Sequence, residues 1–99
     1  MRLSQEKKLI IKEQVQKYFG KGVKVWLFGS RIDDQSRGGD IDLYIETSQS
    51  STDSFKLESK LYVGLQRILG EQRIDIIVFT PDKERQPIHD IAKKNGIML

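Results

Sequence analysis

The 99-residue chain has no cysteine, a single histidine, and two prolines, Pro81 and Pro87. Without cysteine there is no disulfide framework, no thiol chemistry and no thiolate metal site. No apolar run approaches the length of a transmembrane helix, and no signal-peptide apolar core opens the chain. The expected setting is therefore cytoplasmic, with no membrane contact. Charge comes in no blocks, and there are no repeats or linkers. The net charge of +3 suits a small polyanion and does not by itself imply tight binding to duplex DNA. His89, remote in sequence from the acidic residues singled out below, reads as a surface residue.

What the chain does have is a moderate apolar fraction, 37%, and a high charged fraction, 31%, as in a soluble globular protein. Residues 1–99 are expected to form one domain with a modest core. Ser4 to Phe19 reads as a helix with Ile11, Val15, Tyr18 and Phe19 at helical spacing and Gly20 past its end. Val23 to Phe28 is β-branched, aromatic and short, hence a strand. Asp40 to Ile45 alternates as a strand. Thr47 to Ser54 is a polar loop. Asp53 or Ser54 caps a helix to Leu69, with Leu57, Leu61, Leu65 and Ile68 on its buried stripe. Arg73 to Phe79 is a further strand, and Ile88 to Lys94 a short helix stopped by Asn95-Gly96. The apolar tail Ile97-Met98-Leu99 fits a strand, a docked end or an interface. This order implies an α+β domain, a small mixed sheet with helices packed mainly on one face.

Three features carry chemistry. First, Gly29-Ser30 breaks an apolar strand before a turn. Gly permits close backbone approach, Ser30 can cap a following helical turn, and free N–H groups there make an anion site to which Arg31 adds a charge. Second, Asp40 and Asp42 point from one strand face, roughly 6–7 Å apart. At an effective dielectric near 20 their repulsion amounts to roughly 2–3 kcal/mol, and Asp is a poor strand former. A divalent cation with a preference for oxygen ligands turns that repulsion into shared coordination. Third, Asp75 stands among apolar neighbours in RIDIIVF, where a carboxylate is seldom left unpaired. Arg73 is its local alternative partner. One metal site built from Asp40, Asp42 and Asp75 accounts for all three carboxylates.

Gly29-Ser30, nine residues, then Asp40-Ile41-Asp42-Leu43, then Asp75 in a later strand resembles the polymerase-beta-like nucleotidyltransferases. The short chain resembles their minimal branch, which is often encoded beside a HEPN-domain partner as the antitoxin of a toxin–antitoxin pair. Gly39 departs from the Ser that many relatives carry before the first Asp. The resemblance implies a palm-like nucleotidyltransferase fold. It also implies transfer of AMP from ATP to a protein hydroxyl, with Asp40, Asp42 and Asp75 around two Mg²⁺ ions and Gly29, Ser30 and Arg31 at the triphosphate. A HEPN-type protein is the expected partner, with a homo-oligomer as another route to a complete site. Two alternatives stay open: a catalytically weak module that neutralises a partner by covering it, and the catalytic subunit of a small-molecule nucleotidyltransferase.

Overall fold

In a computed structural model, described for residues 5–28, 41–70 and 73–99, the sheet is organised around a strand whose one face is sealed. This strand, β2 (Ile41–Glu46), turns Ile41, Leu43 and Ile45 into the core with no exposure at all. Before it in the chain come α1 (Gln5–Phe19) and β1 (Lys24–Phe28). After it come α2 (Ser51–Leu69), β3 (Ile74–Phe79), α3 (Pro87–Asn95) and β4 (Ile97–Met98). The sheet order is β3-β2-β1-β4. β2 is antiparallel to β1 and parallel to β3, and β4 is antiparallel to β1. The parallel β2–β3 pair needs a crossover connection, which α2 supplies.

Helices α1 and α2 share one face of the sheet. Ile11, Val15 and Phe19 of α1 and Leu61 and Leu65 of α2 meet Val25, Leu27, Ile41, Leu43, Ile45, Ile74 and Val78. Truncating a fully buried member such as Leu43 to Ala should remove about 2–5 kcal/mol. The two helices approach closely at Gly64, where a Cβ would stand only 3.1 Å from Gln14 Oε1 and 3.2 Å from the Tyr18 hydroxyl. The short α3 lies on the opposite face, over Trp26 and Tyr44 through Ala92. The molecule is thus an α+β fold with a mixed sheet and, of the three helices among the described residues, two on one face. Among the described residues no helix is long and apolar enough to cross a membrane.

Several expected boundaries shift for identifiable reasons. β1 begins at Lys24 and β3 at Ile74, one residue later than read from the sequence. Ser4, the expected cap of α1, lies outside the described residues. Helix α2 begins at Ser51, not after Asp53 or Ser54, because Ser50 is its N-cap and its side chain accepts from the Asp53 N–H at 3.2 Å. The carboxylate of Asp82, distant in sequence, accepts from the Ser51 N–H at 3.0 Å and from the Ser51 hydroxyl at 2.9 Å. Ser54, read as a cap, is instead a buried residue whose hydroxyl donates to the Ser51 carbonyl. Ile68, placed by periodicity on the buried stripe, sits in the last turn and is 48% exposed. Helix α3 gains a turn-edge residue at each end, with Pro87 in its first turn. The tail resolves into β4, which pairs with β1 at Trp26 and Leu27, and the Leu99 N–H continues the ladder to the Val25 carbonyl at 2.9 Å.

Asp82 therefore ties the segment after β3 to the start of α2. Its other oxygen accepts from the hydroxyl of fully buried Thr80 at 2.6 Å. The hydrogen bonds from Thr80 and Ser51 hold its carboxyl down to about 2. A depressed acid stabilises the fold above its ordinary range and ceases to do so as pH falls through the folded value. Asp82→Ala is expected to lower Tm by a few degrees at pH 6, and the gap to the parent should close between pH 4 and pH 2. Thermal melts across that range check it.

Candidate active site

The face of the sheet that carries α3 can be laid out in rows from the strand register. Phe28, Asp42 and Asp75 form one row, since Phe28 pairs with Asp42 and Asp42 with Asp75. Trp26, Tyr44 and Ile77 form the next, and Lys24, Glu46 and Phe79 the last. Alternation in β2 puts Asp42, Tyr44 and Glu46 opposite the sealed core face, so burial of Ile41, Leu43 and Ile45 is what turns Asp42 outward. Alternation in β3 does the same for Asp75. The two carboxylates are thus direct neighbours on adjacent parallel strands, whose backbones run roughly 4.8 Å apart.

Such a like-charged cross-strand pair opposes pairing of the strands. Asp42 is half-buried. Asp75 keeps 49% of its side chain exposed on the edge strand and has an ion pair with Arg73, Nε to Oδ2 3.5 Å. The expectation that Asp75 sits in apolar surroundings is therefore corrected. Its neighbours in sequence are apolar, but its position on an edge strand leaves it in reach of water and of Arg73. Asp40, Gly29, Ser30 and Arg31 lie outside the described residues. In the chain, Gly29 follows Phe28, which ends β1 in the Asp42 row, and Asp40 precedes Ile41, which begins β2 one residue before Asp42. Hard carboxylate oxygens from two adjoining strands are the donor set that suits Mg²⁺. Asp42 and Asp75 fit such an ion. Among the described residues no group of three or more potential ligands gathers.

The rest of the face is structural. His89, read from the sequence as a surface residue, is 4% exposed. Its ring stacks on Tyr44 with centroids 5.6 Å apart and meets Phe79 edge-on at 4.9 Å. Its Nδ1 accepts from the Gln86 N–H at 2.9 Å, which places the proton of the neutral ring on Nε2. Burial, with the Arg85 charge next, holds His89 below its ordinary value. The signal for this was present in the sequence: His89 and Ala92 stand three apart, on one helical face.

Glu46 anchors the far row. It accepts from the Tyr44 hydroxyl at 2.6 Å and from Arg85 and Lys93 at 3.3 Å each. Burial works to raise its carboxyl, but hydrogen bonds from Tyr44, Lys93 and Arg85 outweigh it and hold the group below the usual range. Burial, and then Glu46, push the Tyr44 phenol well above its ordinary value, so it stays a neutral donor. Arg85 and Lys93 also lie over the rings of Phe79 and Trp26, at 4.8 and 5.3 Å from the centroids. These cations are engaged in fastening α3 and its approach to the sheet.

An α+β fold with a four-stranded mixed sheet of this order is consistent with the polymerase-beta-like nucleotidyltransferase fold. The sequence model of the family described as Polymerase beta, Nucleotidyltransferase matches residues 10–99, and the chain belongs to that family. No curated protein matches it.

His89→Ala is expected to destabilise the fold by about 2–4 kcal/mol, from lost ring packing and an unsatisfied Gln86 N–H. In the parent, His89 has a depressed value, so its contribution is full above pH 6.5 and fades as pH falls below it. Denaturant titrations of parent and His89→Ala at pH 7.5 and pH 5 check both the size and the narrowing gap. Equal stability at pH 7.5 would return His89 to the surface.

Proposed function

We propose that this nucleotidyltransferase domain moves AMP from ATP to a hydroxyl on a partner protein. The observation that carries the reading is the in-register pair Asp42 and Asp75, held on one open row of the sheet by the packing of the other face. In this reading the acceptor hydroxyl oxygen forms a bond to the α-phosphorus, and the bond from that phosphorus to the pyrophosphate oxygen breaks. Asp75 accepts the hydroxyl proton. Asp40, Asp42 and Asp75 would hold two Mg²⁺ ions, with Asp75 serving on the acceptor side. When bound, the ions lower the pKa of the hydroxyl and offset the charge of the pyrophosphate. Gly29 and Ser30 cradle the β- and γ-phosphates with backbone N–H groups and one hydroxyl, and Arg31 adds a cation.

The protein acceptor is what the resemblance to the minimal branch implies. A HEPN-type partner supplies the hydroxyl in this reading, and the chain acts as the antitoxin. Tight binding to duplex DNA is not part of it, given the net charge of only +3.

The carboxylates have separable roles. Asp42→Asn is expected to lose both Mg²⁺-dependent ATP binding and transfer. Asp75→Asn should keep much of the ATP binding and lose transfer by at least about a hundredfold, the low end for removing a positioned base. Titration calorimetry with ATP and Mg²⁺, alongside label transfer from α-labelled and γ-labelled ATP to the co-purified partner, reads both. Transfer from γ-labelled ATP alone would make the protein a kinase. Full transfer by Asp75→Asn would reduce Asp75 to the ion-pair partner of Arg73.

A further inference from the structure

The edge of the sheet formed by β3 is built to accept another strand. Among the described residues only β2 pairs with β3, and the opposite edge strand, β4, is just two residues long. Within β3 the odd-numbered residues turn their main chain to β2. The Ile41 N–H reaches the Arg73 carbonyl at 2.9 Å and the Thr47 N–H reaches the Phe79 carbonyl at 3.2 Å. The N–H and C=O groups of a strand residue point to the same side, so those of Ile74, Ile76 and Val78 point to the free edge. Edge strands are ordinarily blunted by Pro, a bulge, or a charge aimed along the edge. Ile74 to Phe79 carries no Pro and a single charge, Asp75, on the other face.

Beside this edge, α2 overhangs with an apolar flank. Glu58 and Tyr62 line a groove of about 270 Å³ together with Ile74 and Ile76. A second groove, of about 440 Å³, continues from Glu58 and Ile76 along Val78 toward His89. Phe55, one turn before Glu58 on the same flank, is 70% exposed. Glu58 is the charge at the junction of the two grooves. Among the described residues it makes no hydrogen bond or ion pair, and burial pushes its carboxyl above the usual range, with Lys83 offsetting this in part.

We propose that the free edge of β3, flanked by Glu58 and Tyr62 of α2, receives an extended aliphatic segment of another protein that carries a lysine or arginine opposite Glu58. Strand addition satisfies the three outward pairs of main-chain groups, and alternate side chains enter the groove under α2. A cation at hydrogen-bond distance supplies the close ion pair that Glu58 does not make among the described residues, where Lys83 acts on it without such a contact. A second copy of this chain is the poorer occupant. Pairing Ile74, Ile76 and Val78 with their own symmetry mates places the two-fold axis at Ile76. That brings the Glu58 carboxylates of both copies together at the centre of the contact. The docking edge does not depend on the proposed transfer reaction, and nucleotide plays no part in its test.

The probe is a pair of capped heptapeptides of alternating valine and threonine, one with lysine and one with glutamate at the centre. Binding is read by fluorescence anisotropy, and hydrogen exchange of the protein is read at the amides of Ile74, Ile76 and Val78. The lysine peptide should bind at least about fivefold tighter than the glutamate peptide. It should slow exchange at those three amides. Glu58→Lys should reverse the preference and Glu58→Gln should abolish it, each with a melting temperature near that of the parent. Failure of millimolar lysine peptide to slow exchange at these amides would overturn the proposal. So would equal affinities for the two peptides in the parent. Protection of the same amides that rises with protein concentration in the absence of peptide would assign the edge to a second copy.

Discussion

Everything proposed for this protein depends on the register between β2 and β3. Side chains alternate with a period of two, so a slip of one residue would send Asp42 or Asp75 into the core and an isoleucine into water. The register is held by burial. Ile41, Leu43 and Ile45 of β2, with Ile74 and Val78 of β3, lie against α1 and α2. Each such side chain contributes roughly 1.5–3 kcal/mol on leaving water, enough together to outweigh one pair of facing carboxylates. Repulsion between Asp42 and Asp75 is thus tolerated because the opposite side of the same strands permits no other alignment. The core facing α1 and α2 acts as the positioning device for the acidic row on the reverse side.

The α3 face divides along its length. At one end lie the carboxylates and the ends of the strands that lead to Gly29-Ser30 and Asp40. At the other, α3 is fastened by His89 on Tyr44 and Phe79 and by Glu46 with its three donors. Tyr44 lies between the two zones, fully buried, two residues from Asp42 and two from Glu46. The polar groups of the second zone bond to one another, with Glu46 taking three of them.

Local pattern carried most of the architecture. Alternation in Asp40 to Ile45 and in Arg73 to Phe79 fixed which residues turn inward, because a sealed core on one side makes the period of two informative. Helical spacing found Ile11, Val15, Leu61 and Leu65. The errors arose where a distant residue decides a local feature. The start of α2 is set by Asp82 across the fold as well as by Ser50, so Asp53 and Ser54 looked equally good as caps. His89 was read as exposed because its partners, Tyr44 and Phe79, come from two different strands. Asp75 looked enclosed because a sequence does not say which strand forms the edge of a sheet. That Asp42 and Asp75 stand near one another could be anticipated from the sequence. Its form, direct neighbours on parallel strands, required the crossover through α2.

The central claim is that Asp42 and Asp75 act as one ligand set, and a double-mutant cycle on Mg²⁺ affinity tests it most directly. Calorimetric titration of Mg²⁺ in the absence of nucleotide would compare the parent, Asp42→Asn, Asp75→Asn and the double variant. If both carboxylates serve the same site, each single change weakens Mg²⁺ and the double variant loses less than the sum of the two, by at least about 1 kcal/mol. Strictly additive losses, or a parent-like affinity in Asp75→Asn, would show two carboxylates that share a row of the sheet and no metal.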